Sequence, residues 1–552
     1  MARPLSVTDL AAKRPPVCAA APLLEILLPL IAGILAATLG TPSNSLALLL
    51  SAISIALIGR VFPLHFPQGL RIAALLLGFI STSLQDQPPH PDWSWQPPRE
   101  TTLEMRLERG FNARKESHFA GLARLEHTAL RAVPQGSRLA FYLKKGELGD
   151  EHLLPGAVVR CRGVLQFLPA NPHPDDYQEH LLQQDIFLSF NQGEVLELVS
   201  PPSTWQTARH ALLHHHQSLL TTACRDDEDP GMVIGSMLLG NRSLLNETRM
   251  TLYRDSGTLH LFAVSGLHVG SVALCLYSLA TFLRIGGRPR LAIILLATWT
   301  YIWMTGSTAS GVRAGIMLTA VSSARLLLRQ SHLFPALVLS ACIVLLWQPA
   351  QLFHLGFQLS YAVVLGIVLI ALPLSRLLQD ALLLHRPPRF RPRAQRRYEK
   401  VVRTATDLSC VSLSSSLVSM PLIIEHFTLM TPGGVFAGLL LNGLVFLIVS
   451  GAVLAMLLEP LIGELLAGTM VVMLWPMVDL IEGILRLTVA IPGAVERLAW
   501  IFPGSGTATT CLCLACAWAV QRWRMSRPLP NGLLLVPLLI PAILIGFGTV
   551  HT

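Results

Sequence analysis

The chain has 552 residues, of which 52% are hydrophobic and only 14% are charged, and its formal net charge is +9. Soluble proteins carry about 25% charged residues. This composition therefore excludes an ordinary soluble domain and indicates an integral membrane protein. The nine cysteines have no zinc-finger spacing, so we predict neither a metal site nor a bound cofactor.

Three apolar runs open the chain, near residues 22–40, 45–62 and 70–84. Basic residues precede the first run, which is long for a cleaved signal peptide and is followed at once by more apolar sequence. We therefore predict a group of N-terminal transmembrane helices over residues 1–84.

A polar region follows, in which apolar and polar residues alternate over short segments such as 101–108 and 138–143. Short alternating strands separated by glycine and proline are typical of a small β-barrel. We predict an OB-like barrel over residues 85–203. Cys161 and Cys224 both lie in the polar region, and their spacing leaves open whether they pair.

Residues 204–230 are predicted to form an amphipathic surface helix and a linker. Four histidines lie in this segment: His210, His214, His215 and His216. Leucines are interspersed among them, and no carboxylate has an obvious metal-ligand spacing. An amphipathic helix at the membrane surface is therefore favoured over a metal site.

Ten further apolar runs follow from about residue 231. They lie near residues 257–284, 289–306, 310–328, 333–348, 356–377, 406–425, 432–458, 464–485, 506–521 and 532–549. With the first three runs they predict about thirteen spans. We divide them into a main transmembrane domain over 231–505 and C-terminal helices over 506–552.

Basic residues cluster in alternate connections, such as 284–290 and 386–403, whereas the intervening connections 41–44 and 425–432 have none. Basic loops mark the cytoplasmic side, so the pattern predicts a cytoplasmic N-terminus and an extracytoplasmic barrel. The predicted fold class is a polytopic α-helical membrane protein with an inserted extracytoplasmic β-rich, OB-like domain.

Polar groups cluster at the start of the run 257–284, where lipid-facing sequence has no use for them. They are His260, Ser265 and His268, and Gly266 lies among them. Polar side chains at membrane depth usually face the bundle interior or a water-filled cavity. A polar pathway and ordinary helix packing with hydrogen-bonded histidines both remain open here.

Further candidates lie in later runs. Arg313 stands among small residues, and either a buried functional role or snorkelling to the interface accounts for it. Gln358 and Ser360 are suited to hydrogen bonds between helices or to lining a pore. Asn442 lies in the run after a proline-containing helix.

Several of these stretches together resemble the ComEC/Rec2 family of DNA-uptake proteins. The resemblance rests on 238–242 with 259–269, on Gly-Phe-Gln-Leu-Ser-Tyr at 356–361, and on a Pro…Phe…Asn pattern from Pro421 to Asn442. It implies a bacterial, multi-pass inner-membrane channel domain over 231–505 that passes single-stranded DNA into the cytoplasm during natural transformation. The implied path candidates are His260, Ser265, Gly266, His268, Arg313, Gln358, Ser360 and Asn442.

The resemblance also implies partners. Besides single-stranded DNA and membrane lipid, these are a periplasmic DNA receptor, a separate nuclease and a cytoplasmic helicase-like motor, with homo-oligomerisation left open. Many relatives end in a metallo-β-lactamase-like domain, which needs a His-x-His-x-Asp-His motif. The sequence has no such motif, so we expect no nuclease activity and no other enzymatic activity.

Three alternatives stand beside the DNA channel. One is a transporter of a small solute or ion, in which His260, His268 and Glu425 relay protons or bind a metal. Another is an intramembrane hydrolase using Ser265 and His268, although no G-x-S-x-G motif is present. The third is a channel relative with no role in DNA uptake.

Overall fold

The structure, a computed structural model, describes residues 23–39, 68–85, 97–112, 118–128, 133, 135–144, 153–168, 181, 186–226, 228–327, 333–383, 393–526 and 531–551. Two compact units make up the chain. The barrel unit comprises residues 87–227 and 241–246, and the helical unit comprises 1–86, 228–240 and 247–552. The two units are described separately.

The barrel unit is built on five strands that close on themselves in the order β1-β2-β3-β5-β4. The strands are β1 (Arg99–Asn112), β2 (His118–Thr128), β3 (Arg138–Lys144), β4 (Val158–Phe167) and β5 (Leu188–Ser200). β3 and β5 are parallel, the other pairs are antiparallel, and β1 pairs with β4 to complete the closure. The predicted small β-barrel is therefore confirmed.

Alternation along the strands separates an apolar interior from a charged exterior. On β1, Leu103, Met105 and Leu107 are buried in the core, because successive side chains of a strand point to opposite faces. Cys161 lies in the same core as a free thiol, so it forms no disulfide with Cys224. Burial raises the pKa of Cys161 to about 12.

A helix follows the barrel. α3 (Thr204–Thr221) begins after Ser203, whose side chain accepts a hydrogen bond from the Gln206 backbone N–H. The rings of His210 and His214 lie one turn apart, with centroids 6.2 Å from each other. Within the described ranges, no three histidine, cysteine or acidic side chains are grouped as a metal would require.

The helical unit begins with α1 (Leu24–Leu39) and α2 (Gln68–Gln85), which pack closely against each other. A Cβ on Gly33 would lie 2.1 Å from the Leu75 carbonyl oxygen, and one on Gly78 would lie 2.4 Å from that of Leu30. Small residues let membrane helices approach in this way. The predicted run 45–62 lies outside the described residues.

Fourteen further α-helices and three short strands follow in the described part of the helical unit. The helices are α4 (Pro230–Leu239), α5 (Glu247–Asp255), α6 (Gly266–Phe282), α7 (Gly287–Met304), α8 (Ala309–Leu326), α9 (Leu333–Trp347), α10 (Leu355–Gly366), α11 (Leu372–Leu382), α12 (Arg393–Phe427), α13 (Gly433–Ile462), α14 (Glu464–Val472), α15 (Trp475–Ala490), α16 (Ser505–Ser526) and α17 (Val536–Gly548). A π-helical turn, Ile367–Ala371, joins α10 to α11. A small sheet, β6 (Leu429–Met430), β7 (Glu496–Trp500) and β8 (Thr549–His551), completes this unit.

Four helical segments of the described chain are long and apolar enough to cross a membrane. They are Leu355–Leu382, Arg397–Phe427, Gly438–Ile462 and Glu464–Ala490. Six shorter apolar helices accompany them, among them Gly266–Phe282 and Leu333–Trp347. The mostly helical, membrane-type architecture with one small barrel is thus confirmed, whereas this count does not confirm about thirteen spans.

Five helices of this unit contact one another in a closed cycle. α6 packs on α8, α8 on α10, α10 on α12, α12 on α13, and α13 again on α6. Other helices pack against members of the cycle: α7 contacts α6 and α8, α9 contacts α8 and α10, and α16 contacts α10 and α12. The candidate residues from Gly266 onwards all belong to these five helices.

Candidate functional site

The apolar run 257–284 is not one continuous helix. A 3-10 turn, Leu259–Phe262, precedes an extended segment, and α6 begins only at Gly266. The break leaves the Val264 carbonyl without a helical partner, and the hydroxyls of Thr308 and Ser310 donate to it at 3.1 and 2.6 Å. An interrupted backbone at membrane depth needs such substitute donors. Residues at the start of α8 therefore stabilise the break before α6.

Ser265 and His268 form a hydrogen-bonded pair at the start of α6. The Ser265 Oγ lies 2.8 Å from the His268 Nδ1, and the Ser265 backbone N–H donates to the same nitrogen at 3.4 Å. His268 is buried, and its Nε2 has no hydrogen-bond partner among the described residues. Since Nδ1 accepts from the residue that caps the helix, the pair acts as a capping box in which histidine takes the place of glutamate.

His260 and Gly266 are more open than His268. The His260 ring is exposed, and its Nδ1 lies 3.2 Å from the Gly257 carbonyl oxygen. Gly266 is exposed on α6, where an added Cβ would meet nothing closer than the Ala314 Cβ at 3.8 Å. The start of α6 therefore faces α8 at this glycine.

Arg313 is 2% exposed and ties three helices together. Its Nη2 donates to the Gly356 carbonyl at 2.7 Å, and its guanidinium lies 6.0 Å from the centre of the Tyr361 ring. The Tyr361 hydroxyl and the Ser340 Oγ are 3.0 Å apart, and Ser340 in turn donates to the Arg313 carbonyl at 3.4 Å. The network joins α8, α9 and α10. The Arg313 side chain therefore does not snorkel to the membrane interface.

The other polar candidates make fewer contacts. Gln358 donates to the Leu352 carbonyl at 3.2 Å, and its side-chain oxygen has no partner in the part of the chain that the structure describes. Ser360 and Asn442 are half-buried. The Phe357 and Tyr361 rings contact each other at 4.3 Å between centroids, as their four-residue spacing predicts.

Asn442 reaches the level of the α6 break because α6 and α13 run side by side. Gly257 approaches Thr431 before the two helices, and the Cys275 Sγ donates to the Ser450 carbonyl further along. From the first contact to the second, the residue numbers increase in both segments, so α6 and α13 run parallel. Asn442 precedes Ser450 by about 12 Å, and His268 precedes Cys275 by about 10.5 Å. The structure therefore brings Asn442 to roughly the height of His268.

Glu425 is not grouped with the two histidines in a hydrogen-bonded relay. Its carboxylate accepts from the Gly504 N–H at 2.6 Å and from the Thr507 N–H and hydroxyl at 2.7 and 2.9 Å. Gly504 directly precedes α16 and Thr507 lies in its first turn, where free N–H groups favour a carboxylate. Glu425 caps a helix distant in sequence.

One buried ion pair was missed by the sequence reasoning. The Arg249 Nε lies 2.8 Å from Glu482 Oε1, and both side chains are at most 10% exposed. Arg249 also donates to the Asp229 carbonyl at 2.9 Å. One member of the pair could be identified from the sequence, because Glu482 stands in an apolar run and a buried carboxylate requires a partner. Nothing in the sequence identified Arg249 on α5 as that partner.

The charge distribution of the candidate site is one-sided. No aspartate or glutamate occurs from Ser256 to Gln379, a stretch that includes α6 to α10. The same stretch contains seven arginines: Arg284, Arg288, Arg290, Arg313, Arg325, Arg329 and Arg376. Arg313 therefore stands in the helical core without a carboxylate nearby in sequence, and no ion pair of Arg313 occurs among the described residues.

The barrel has the opposite character, since its strand arginines pair with glutamates across neighbouring strands. Glu108 accepts from Arg124 and Arg138, each at 3.0 Å. The remaining described pairs are Arg106–Glu126, Arg160–Glu104, Arg160–Glu197 and Arg162–Glu100, at 2.6 to 2.8 Å. The charge of Arg106, for example, is balanced by Glu126. Such pairing leaves little net positive charge on this face for phosphates.

Comparison with known proteins identifies relatives of the helical unit. A family model described as Competence protein matches residues 237–525, which is more than half of the chain. The ComE operon protein 3 of Bacillus subtilis (strain 168) is 26% identical over 256 residues, covering 46% of this chain and 30% of that protein. The match thus spans less than a third of the curated relative's length. No solved structure matches the chain.

Proposed function

This chain belongs to the competence protein family, and from that premise we propose that it passes single-stranded DNA across the cell inner membrane during natural transformation. Family membership and the Bacillus relative support a role in DNA uptake. Beyond this role, we propose the route of the DNA through the membrane and its single-stranded form.

The observation that carries the proposal is the acid-free block from Ser256 to Gln379. A DNA strand carries one negative charge per nucleotide and needs a wet, electropositive path with surfaces for stacking. A block with seven arginines and no carboxylate attracts such a polyanion and does not repel it at any depth. Transmembrane helices generally avoid charged residues, but this preference does not explain why the connections between them also lack aspartate and glutamate.

The path that we propose lies within the cycle formed by α6, α8, α10, α12 and α13. Each candidate residue from Gly266 to Asn442 lies on one of these helices, and the break before α6 brings polar groups to the same level. The pore-path candidates remain Ser265, Gly266, His268, Gln358, Ser360 and Asn442, with His260 at the entrance. Arg313 contributes its charge from beneath this surface, because it is buried.

We propose a multi-pass arrangement of about thirteen spans with the barrel outside the cytoplasm. The small sheet supports the last part of this topology. β6, β7 and β8 pair with one another, so they must lie on one side of the membrane. Two predicted spans separate β6 from β7, and two more separate β7 from β8, as a common side requires. The strand order of the barrel supports an OB-like class.

We propose that the chain is not itself a nuclease or a hydrolase, and that a separate protein degrades the other strand. Ser265 and His268 are at hydrogen-bond distance, but the histidine nitrogen concerned also accepts from the Ser265 backbone. A serine nucleophile needs a histidine whose other nitrogen is oriented by a third group. His268 Nε2 has no such partner among the described residues.

The rival function, a proton-coupled transporter, relies on Glu425 together with His260 and His268. Glu425 is engaged by three donors of α16, so its carboxylate is held for capping and not for relay. We therefore favour passage of DNA over proton-coupled transport. We further propose a periplasmic DNA receptor, a cytoplasmic helicase-like motor and anionic lipid as partners, with assembly into homo-oligomers left to experiment.

The deciding experiment is deletion of the chain in its native host, followed by restoration of the wild type. Labelled DNA is scored separately for binding at the cell surface and for entry into the cytoplasm. The proposal expects deletion to abolish entry, to spare surface binding, and to be reversed by the wild type. Unchanged entry after deletion would refute it, and proton-coupled solute flux in vesicles without DNA would then favour the transporter.

A further inference from the structure

The turn between α6 and α7 carries an unusual set of exposed groups. The Arg290 guanidinium lies 4.7 Å above the centre of the Tyr277 ring, and its Nη1 donates to the Thr281 hydroxyl at 3.1 Å. Tyr277 is 40% exposed, and Arg284 and Arg288 are exposed beside it. An aromatic face, a guanidinium over it and two further cations therefore lie around the connection from α6 to α7, and we term this set the inner platform (Tyr277, Thr281, Arg284, Arg288 and Arg290).

Arg284 occupies a backbone conformation that favours glycine. Its φ is +57°, and the Ile285 N–H donates to the Ala280 carbonyl at 2.9 Å, which is the hydrogen bond of a Schellman cap. Non-glycine residues are uncommon in this position because the Cβ is strained. Glycine would serve at this position, and Gly286 and Gly287 follow directly. An arginine at this strained position points to a use for its side chain.

The arginines of the inner platform have no acidic residue near them in sequence. No acidic residue lies within the 256–379 block that contains it, in contrast to the paired arginines of the barrel. A cytoplasmic location alone explains a net positive turn. It does not explain why a guanidinium lies over the ring of an exposed tyrosine, an arrangement that offers a cation and an aromatic ring to a nucleic-acid base.

We propose that the inner platform is a binding subsite for single-stranded nucleic acid at the cytoplasmic end of the path, a proposal that rests on the function proposed above. Tyr277 with Arg290 stacks one base, and Arg284 and Arg288 contact the phosphates on either side of it. Thr281 is a positioning residue, since its hydroxyl fixes the Arg290 guanidinium over the ring.

The test measures binding of a fluorescent oligothymidylate to the purified full-length protein in detergent over a range of salt concentrations. Arg284→Gln, Arg288→Gln and Arg290→Gln combined are expected to lower the slope of log affinity against log salt by about 1.4, because Arg284 and Arg288 each make one phosphate contact and each such contact on a single strand contributes about 0.7. A matched control removes three exposed charges elsewhere: Arg397→Gln, Lys400→Gln and Arg403→Gln on α12. The control is expected to leave the slope unchanged.

Tyrosine substitutions separate stacking from charge and leave the topology signal intact. Tyr277→Ala is expected to weaken binding at least about fivefold with the salt slope unchanged, whereas Tyr277→Phe retains the affinity. An equal decrease of the salt slope in the platform triple and the control triple would overturn the subsite. Unchanged affinity in Tyr277→Ala would also overturn it. So would competition by anionic lipid vesicles that removes the oligonucleotide, because the cluster would then be a lipid site.

Failure of the subsite and failure of the proposed function give different results. If the wild type imports DNA and binds the oligonucleotide while the platform variants do so equally well, the subsite is wrong and the channel stands. If the wild type neither binds the oligonucleotide nor restores DNA entry to a deletion strain, both are wrong. Thermal unfolding of every variant establishes that the helical unit is intact.

Discussion

At the scale of single residues, the structure distinguishes polar groups that are exposed from those that hold helices together. Arg313 and Glu425 both looked like charges placed in a membrane for a chemical purpose. Each is instead engaged by backbone groups, Arg313 with the Gly356 carbonyl and Glu425 with the first turn of α16. A buried charge persists only where such hydrogen bonds replace those of water. The residue types therefore left both the burial and the purpose of these charges undecided.

Arg313→Ala is expected to lower the stability of the helical unit by about 3 kcal/mol, because it leaves the Gly356 carbonyl without its donor and opens a cavity beside Tyr361. Thermal unfolding of the full chain in detergent measures this effect. Arg376→Ala, at an exposed arginine of α11, is the matched control and should change stability by less than about 0.5 kcal/mol. Equal melting temperatures for both variants, with DNA entry lost only in the first, would make Arg313 a pore cation.

Cys161 is expected to be inert until the barrel unfolds. Burial raises its pKa to about 12, and the thiolate is the reactive form. The thiol therefore favours the folded state fully below the unfolded pKa, near 9, and this contribution is lost as the pH rises from about 9 to about 12. Maleimide labelling of a variant that keeps Cys161 alone should be slow at pH 7 and fast in denaturant. Rapid labelling of the folded protein would contradict the burial.

At the scale of elements, the break before α6 and the cap of α16 follow one principle. Each helix start needs acceptors for its free N–H groups, and each interrupted carbonyl needs a donor. Thr308 and Ser310 supply the donors at the break, and Glu425 supplies the acceptor at α16. The π-helical turn between α10 and α11 is a third case, since Gln521 donates to the Leu369 carbonyl at 3.2 Å. Irregular membrane segments are thus stabilised by polar side chains of other helices.

Glu425→Ala is expected to destabilise the protein by about 1–2 kcal/mol through loss of the α16 cap. Glu425→Gln should have a smaller effect, because an amide oxygen still accepts one hydrogen bond. Both variants are compared by thermal unfolding and by proton flux in vesicles. A capping role predicts altered melting with no change in flux. Abolished flux in Glu425→Gln, at unchanged melting temperature, would restore the proton-relay reading.

At the scale of the whole molecule, charge is divided between the two units. The barrel pairs its strand arginines with glutamates, whereas the helices from α6 to α10 have no carboxylate at all. Net positive potential along one unit steers a polyanion towards it, and a neutralised surface does not hold the polyanion elsewhere. The division supports transport through the helical unit and not storage on the barrel.

Gly356→Asp tests whether the acid-free block matters as a whole. A Cβ at this position meets no atom within 4 Å, and the position lies in the first turn of α10, where a carboxylate is favoured. The variant should therefore fold and insert, yet lower DNA entry at least about tenfold by placing a negative charge beside the path. Gly356→Asn has the same size without the charge and should retain entry. Equal entry in the two variants would argue against an electrostatic path.

The sequence alone determined the membrane class, the small barrel and the family-like motifs, because hydropathy, two-residue alternation and motif order are local properties of the chain. It also identified Ser265 and His268, whose three-residue spacing puts them within reach on one helix turn. Only the tertiary structure paired Arg249 with Glu482, linked Arg313 to Ser340, and assigned Glu425 to α16. These partners lie from 27 to more than 200 residues apart, and no local pattern specifies which helices pack together. Packing decides which helices meet, and therefore which polar residues are held by hydrogen bonds and which stay exposed.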